Sequence, residues 1–286
     1  MAQVTLYPGC SLEGTAQDYR DSLEVACSRL GVELVELEGW TCCGATSAHS
    51  LDEIIALELP ARNLVLAEKK GLDVVVPCAL CFNRLKAAEK HLLNNTHPEL
   101  TKKYPFRGTI KIYDLLFYLT TPEMLDKISS LIQKPLEGLK LVSYYGCMVN
   151  RPPRITDAKN HENPTQMDQL VEVLGATPID WPFKTDCCGA GHTVARPDLV
   201  FALVKRLYDR ALAQGANGIV VSCQMCHANL DMYQDQISEY FGERYRIPIF
   251  YFTELINLAL GDERQISWLS RHVVDPIPTL KECGLL

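Results

Sequence analysis

The chain has 286 residues, 47% hydrophobic and 22% charged, with a net charge of −7. That balance suits a globular protein with one large core or two ordinary ones, and an acidic chain without a Lys/Arg cluster argues against nucleic acid and anionic membranes as partners. Apolar runs such as Val74-Val75-Val76 and Ile219-Val220-Val221 are far too short to insert across a bilayer.

In chain order, residues 4–7 read as a strand ending at Gly9-Cys10, followed by an amphipathic helix over about residues 15–30 that Gly31 closes. Residues 32–37 read as a second strand running to Cys42-Cys43-Gly44. A helix near residues 51–70 comes next, then an apolar strand, 74–76, ending at Cys78-x-x-Cys81, where another helix begins. The order then starts again. A strand over 139–144 ends at Gly146-Cys147, and a helix over about 164–174 is closed by Gly175. A strand over 176–181 runs to Cys187-Cys188-Gly189, a helix covers 197–214, and strand 219–221 leads to Cys223-x-x-Cys226. Strands alternating with helices predict an α/β fold with small parallel sheets flanked by helices.

The cysteines make the repeat exact enough to measure. Cys10 is followed after 31 residues by Cys42-Cys43, and after 34 more by Cys78-x-x-Cys81. Cys147 is followed after 39 residues by Cys187-Cys188, and after 34 more by Cys223-x-x-Cys226. The last four cysteines of each set are offset by 145 residues and the first by 137, so the second copy carries an eight-residue insertion. Tyr7-Pro-Gly-Cys10 echoes Tyr144-Tyr-Gly-Cys147, and residues 111–115 parallel 250–255. An internal period of this kind sets the architecture. It predicts two homologous domains, 1–136 and 137–286, related by pseudo-twofold symmetry.

Twelve cysteines also bear on compartment. The opening residues lack the basic-then-apolar pattern of a secretory signal, so a cytoplasmic protein is expected. In a reducing cytosol many cysteines point to metal or redox chemistry rather than disulfides. Structural zinc takes four ligands in a tetrahedron, whereas each copy offers five thiolates, including an adjacent pair whose side chains diverge. A polynuclear iron–sulfur cluster suits such a set better, although soft thiolates also serve zinc. A thioredoxin-like dithiol would leave three cysteines of each copy without a role.

The Cys…Cys-Cys-Gly…Cys-x-x-Cys motif, present twice over the whole chain, resembles the B-type subunit of heterodisulfide reductase. Related pairs of motifs occur in subunits of succinate, fumarate, glycolate and lactate oxidoreductases, commonly beside ferredoxin-type CxxCxxCxxxCP runs, which this sequence lacks. Gly44 stands where methanogen members tend to have Pro, which tilts the resemblance toward a bacterial heterodisulfide reductase-like complex. The resemblance implies two noncubane [4Fe–4S] clusters, one on Cys10, Cys42, Cys43, Cys78 and Cys81, the other on Cys147, Cys187, Cys188, Cys223 and Cys226. It implies reduction or formation of a disulfide or protein-bound sulfur species between them by one-electron steps, so that the chain is the catalytic subunit of an oxidoreductase. The partners it implies are a small ferredoxin-like subunit together with a flavin-containing one, and no GxGxxG follows a strand in this chain itself. The competing expectation is a non-catalytic relay passing electrons to a quinone or a partner enzyme.

Four further residues stand out, with two cysteines outside the motifs. His49 and His192 follow the Cys-Cys-Gly segments and could donate protons to product thiolates, or simply cap a helix. Arg151 and Arg154 follow Cys147 and could hold an anionic substrate tail, or lie in a solvated loop. Cys27 sits in an apolar helix context and reads as a small core residue. Cys283 reads as a surface thiol or a contact with a partner.

Overall fold

The computed structural model describes residues 2–45, 47–262 and 264–286. Eight strands are present among them: β1 (Ala2–Leu6), β2 (Val32–Glu36), β3 (Val74–Val76), β4 (Ile112–Asp114), β5 (Lys140–Tyr144), β6 (Thr177–Ile179), β7 (Gly218–Val221) and β8 (Ile249–Tyr251). They form two four-stranded sheets in the orders β2-β1-β3-β4 and β6-β5-β7-β8, every pairing parallel. The fold is therefore α/β, with helices flanking both sheets, as the alternation of elements predicts. Each chain path runs outward from the first strand to the second, then crosses back to the third. That reversal makes a crevice beyond the strand ends, the place where open parallel sheets bind ligands.

Burial explains the central strands. β3 is Val-Val-Val and β7 is Gly-Ile-Val-Val, buried throughout, because helices cover both faces of a parallel sheet. The fourth strands fall on the matching segments near 112 and 250, whose likeness the sequence displays without revealing that they join the sheets.

One expected helix is divided. Residues 51–70 fold as Ala48–Leu51 and Glu53–Lys70, with Asp52 extended between them. Asp52 breaks the run because its carboxylate accepts the Ile55 N–H at 2.8 Å and so caps the longer helix. Gly71, at φ +72°, closes that helix in the left-handed conformation.

The two halves meet in a tight seam. The Tyr19 ring stacks on Tyr251 at 4.2 Å, and Tyr251 stacks in turn on His227 at 4.1 Å. Contacts of this kind add roughly 1 kcal/mol each beyond their buried area. Ser22 and Thr253 share a hydroxyl hydrogen bond of 2.7 Å, and Asn257 donates to the Ser22 carbonyl at 2.7 Å. On the other flank Asn83 donates to the carbonyls of Met148 and Arg151, both at 2.9 Å. The connecting segment packs with the second half: the Gln133 and Lys134 amides donate to Ala259 and the Leu136 amide to Leu174. No helix among the described residues is long and apolar enough to cross a membrane.

Candidate metal centres

Each site is assembled at the carboxyl ends of three strands. Cys10 lies in the short helix Gly9–Glu13 after β1, Cys42 and Cys43 in the loop after β2, and Cys78 just past β3. Cys147, Cys187, Cys188 and Cys223 hold the matching positions after β5, β6 and β7. Cys78 and Cys223 are the extended residues that open the helices Ala79–Leu93 and Gln224–Met232. The free N–H groups and dipole of a helix start favour thiolate over thiol, as at Cys223, whereas the hydrogen bond Cys78 shares with Cys223 pushes the Cys78 thiol well above its usual range.

The thiols converge. Cys43 and Cys81 sulfurs are 3.3 Å apart, and Cys188 and Cys226 sulfurs 3.8 Å apart. Cys10 meets Cys42 and Cys78 meets Cys81 in the first half; Cys147 meets Cys187 and Cys223 meets Cys226 in the second. The Gly44 and Gly189 amides donate to the Cys42 and Cys187 sulfurs at 3.4 and 3.3 Å. A hydrogen bond from Cys147, opposed by burial and helped by the Gly189 amide, pulls Cys187 down to about 6. Hydrogen bonds from Cys226 and Cys78 hold Cys223 well below the usual thiol range. Cys78 and Cys223 belong to different halves, so the two sets touch across the seam.

Close approach is built into the backbone. A Cβ added at Gly9 would lie 2.9 Å from the Cys81 sulfur, and one added at Gly146 would lie 2.7 Å from the Cys226 sulfur. Both glycines also have positive φ, +70° and +66°, which disfavours side chains there. Thus the Gly-Cys pairs seen in the sequence are glycines because a sulfur occupies the space. Five thiols at one place exceed what a single tetrahedral ion takes and fit a group with several metal atoms.

A cavity of about 380 Å³ opens at the second set and is walled by both halves. Cys147, Cys187, Cys188, Cys223 and Cys226 line it from one half, and Ala79, Leu80 and Arg84 from the other. His49 and His192 both border it, so the two histidines are brought to one space despite their distance in sequence. Met148 and Met225 contribute apolar walls.

Arg151 and Arg154 do not line the cavity. The Arg151 guanidinium instead bonds Glu162 at 2.6 Å and Thr185 at 2.8 Å, while Arg154 is exposed in the short helix Pro153–Thr156. Nearness to Cys147 along the chain brings neither to the cavity wall: Arg151 is half-buried against Thr185, and Arg154 faces solvent. The cation that does reach the cavity is Arg84, three residues past Cys81, a spacing that returns to the same helix face. Cys27 is fully buried in the core, and burial pushes its thiol up to about 12. Cys283 is half-buried, its sulfur 3.8 Å from the Asn217 amide and close to Gly138.

Comparison with known proteins agrees with this arrangement. The cysteine-rich CCG domain model matches twice, over residues 4–86 and 141–231. The chain is 30% identical to the B-type subunit of the ferredoxin/F(420)H(2)-dependent CoB-CoM heterodisulfide reductase of Methanosarcina acetivorans, over 91% of this chain and 90% of that one. It is 29% identical to the 8-methylmenaquinol:fumarate reductase membrane anchor subunit of Wolinella succinogenes, over 96% and 97% respectively. A hypothetical protein of Helicobacter pylori shares the fold with a TM-score of 0.71 at 13% identity, over 96% of this chain, which spans about half (52%) of that one. With both halves matched, the chain belongs to the cysteine-rich CCG family that includes the B-type subunit of heterodisulfide reductase.

Proposed function

We propose that this chain is the sulfur-active subunit of a heterodisulfide reductase-like complex, binding one noncubane [4Fe–4S] cluster at each five-cysteine set. The observation that carries the reading is the cavity bounded by one cysteine set and by the opposite half of the chain. When bound, the clusters supply or accept electrons one at a time.

Cleaving a disulfide consumes two electrons and gives two thiolates, each able to take a proton. His49 and His192 border the cavity where those protons are needed. Ala79, Leu80, Met148 and Met225 exclude water from the reacting sulfurs. The chain carries no nicotinamide or flavin motif, so electrons come from partners, a ferredoxin-like subunit together with a flavin-containing one. The substrate is a disulfide or a protein-bound sulfur species, and the compartment is the cytoplasm.

A second reading has its own support in the Wolinella relative, which is named for menaquinol:fumarate reduction. Under it the chain relays electrons between a partner enzyme and a quinone, and the apolar cavity walls face a quinone ring. Metal and sulfide analysis of anaerobically prepared protein tests both readings. About eight irons per chain with matching sulfide supports them, and zinc without sulfide overturns both. Turnover of a disulfide, against reduction of a menaquinone analogue, divides the two.

A further inference from the structure

We propose that Asp18, His227, Glu254 and His272 form a site for one divalent ion of the zinc class, at the seam between the two halves and apart from the cysteine sets.

Four separate elements deliver these side chains. Asp18 belongs to the helix Gln17–Arg29 of the first half. His227 lies in Gln224–Met232, Glu254 in Phe252–Ala259, and His272 just beyond Gln265–Leu269. None is more than 8% exposed. His272 Nε2 stands 2.9 Å from Glu254 Oε1 and 3.8 Å from Asp18 Oδ2. Zinc bonds of about 2.1 Å, set tetrahedrally, separate their donor atoms by about 3.4 Å, which falls between those two values. One donor atom each of Asp18, His227 and His272 lies within 4.8 Å of the others, so modest side-chain rotation closes the set on one ion.

The donors are already oriented. Asp18 Oδ1 accepts the Tyr19 amide and Glu254 Oε2 the Tyr251 amide, both at 2.8 Å, which leaves Oδ2 and Oε1 for His272. His227 Nε2 donates to the Ile249 carbonyl at 3.2 Å, the kind of bond that holds a ligating histidine through its second nitrogen. His272 Nδ1 is buried with no hydrogen-bond partner, so protein groups alone do not satisfy this ring. The fold itself does not ask for an imidazole beside the last cysteine, because the residue after Cys81 in the first copy is Phe82.

Charge points the same way. Asp231 adds a third buried carboxylate, held by the Val273 and Val274 amides at 2.7 and 3.1 Å. Among the described residues His272 is the only cation paired with Asp18 or Glu254, and the neighbouring Arg271 pairs with Asp21 instead. A single imidazolium leaves a surplus of buried negative charge, which is costly. A divalent ion in place of its proton offsets one charge more.

The test is zinc K-edge absorption and metal analysis of the full chain, isolated without air from cells grown with added zinc sulfate and freed of loose metal by gel filtration. Wild type is expected to keep one zinc per chain in a nitrogen/oxygen shell at about 2.0–2.1 Å, without the ~2.3 Å sulfur shell of a thiolate site. His272→Gln and Asp18→Asn should each cut this zinc about tenfold or more while iron and sulfide stay at the wild-type level. Should either variant fail to fold, the wild-type spectrum decides alone. Wild-type protein without zinc, zinc with sulfur neighbours only, or nitrogen/oxygen-bound zinc that survives both substitutions overturns the proposal. Iron and sulfide counts judge the cysteine sets separately. Iron-replete protein lacking zinc sinks this site and spares the cluster reading; nitrogen/oxygen-bound zinc in a chain without iron does the reverse.

Discussion

Tyr7 and Tyr144 hold the same post in the two repeats: each phenol donates to the carbonyl just ahead of the adjacent cysteine pair, Tyr7 to Thr41 and Tyr144 to Asp186, both at 2.7 Å. Both rings are fully buried. The posts differ in their backing. The Thr41 carbonyl also receives the Asn63 amide at 2.8 Å, whereas among the described residues no second donor reaches the Asp186 carbonyl. Tyr144→Phe therefore leaves that carbonyl unpaired, costing about 1–3 kcal/mol, and Tyr7→Phe costs about 1 kcal/mol. Thermal unfolding of the two variants should rank them in that order. Iron retained after gel filtration should fall more in Tyr144→Phe.

The glycines beside the CxxC sulfurs allow a sharper test. Gly9→Ala and Gly146→Ala place a carbon inside contact distance of Cys81 and Cys226 and also strain a positive φ. Gly71 shares the φ, at +72°, with nothing within 4 Å of an added Cβ. Gly71→Ala should cost only the backbone strain, roughly 1–2 kcal/mol. Each of the other two should in addition lose about half of the bound iron, as read by metal analysis on folded protein. Full iron in Gly146→Ala would show that the close approach is incidental.

At the seam, His272 is buried between Glu254, at 2.9 Å, and Asp18, at 3.8 Å. Burial pushes its imidazole down, but Glu254, with Asp231 and Asp18, overcomes that and carries it from 6.5 up to about 9. The native state therefore holds this proton more tightly than the unfolded chain. Its stabilisation is complete below pH ~6.5 and is lost as pH rises through about 9. Asp18, raised from 3.8 to about 6 by burial and then by Glu254, acts in the same sense at lower pH. Unfolding temperature should thus fall between pH 7 and 9.5. His272→Gln should flatten that slope, the difference being on the order of 3 kcal/mol. Equal slopes in both proteins would remove His272 from the account.

His49 and His192 can be separated from metal binding by the same logic. Replacing either with Gln should leave iron content unchanged and lower disulfide turnover about a hundredfold, the usual scale for losing a proton donor. Turnover that survives in both variants would assign the proton to solvent.

Much of this was legible in the chain. The 145-residue offset, the Gly-Cys pairs and the apolar runs before each CxxC place ten cysteines at strand ends, because strand periodicity and turn glycines are local properties. What escaped was non-local. His272 is brought to Asp18 by tertiary packing alone. Arg151 and Arg154 were attractive through proximity to Cys147, yet the insertion turns Arg151 toward Glu162. Arg84 reaches the cavity because three residues past Cys81 is nearly one helical turn, a spacing that tells only once the helix is placed.

Joining both copies in one polypeptide has a consequence for how such a protein can diversify. In a symmetric homodimer every substitution appears twice, so neither face can change alone. Here the Asn83 amide of one copy grips the backbone of the other, and nothing requires the gesture to be returned. Fusion frees each copy to drift separately, and a pair that began as equals can become a donor side and an acceptor side.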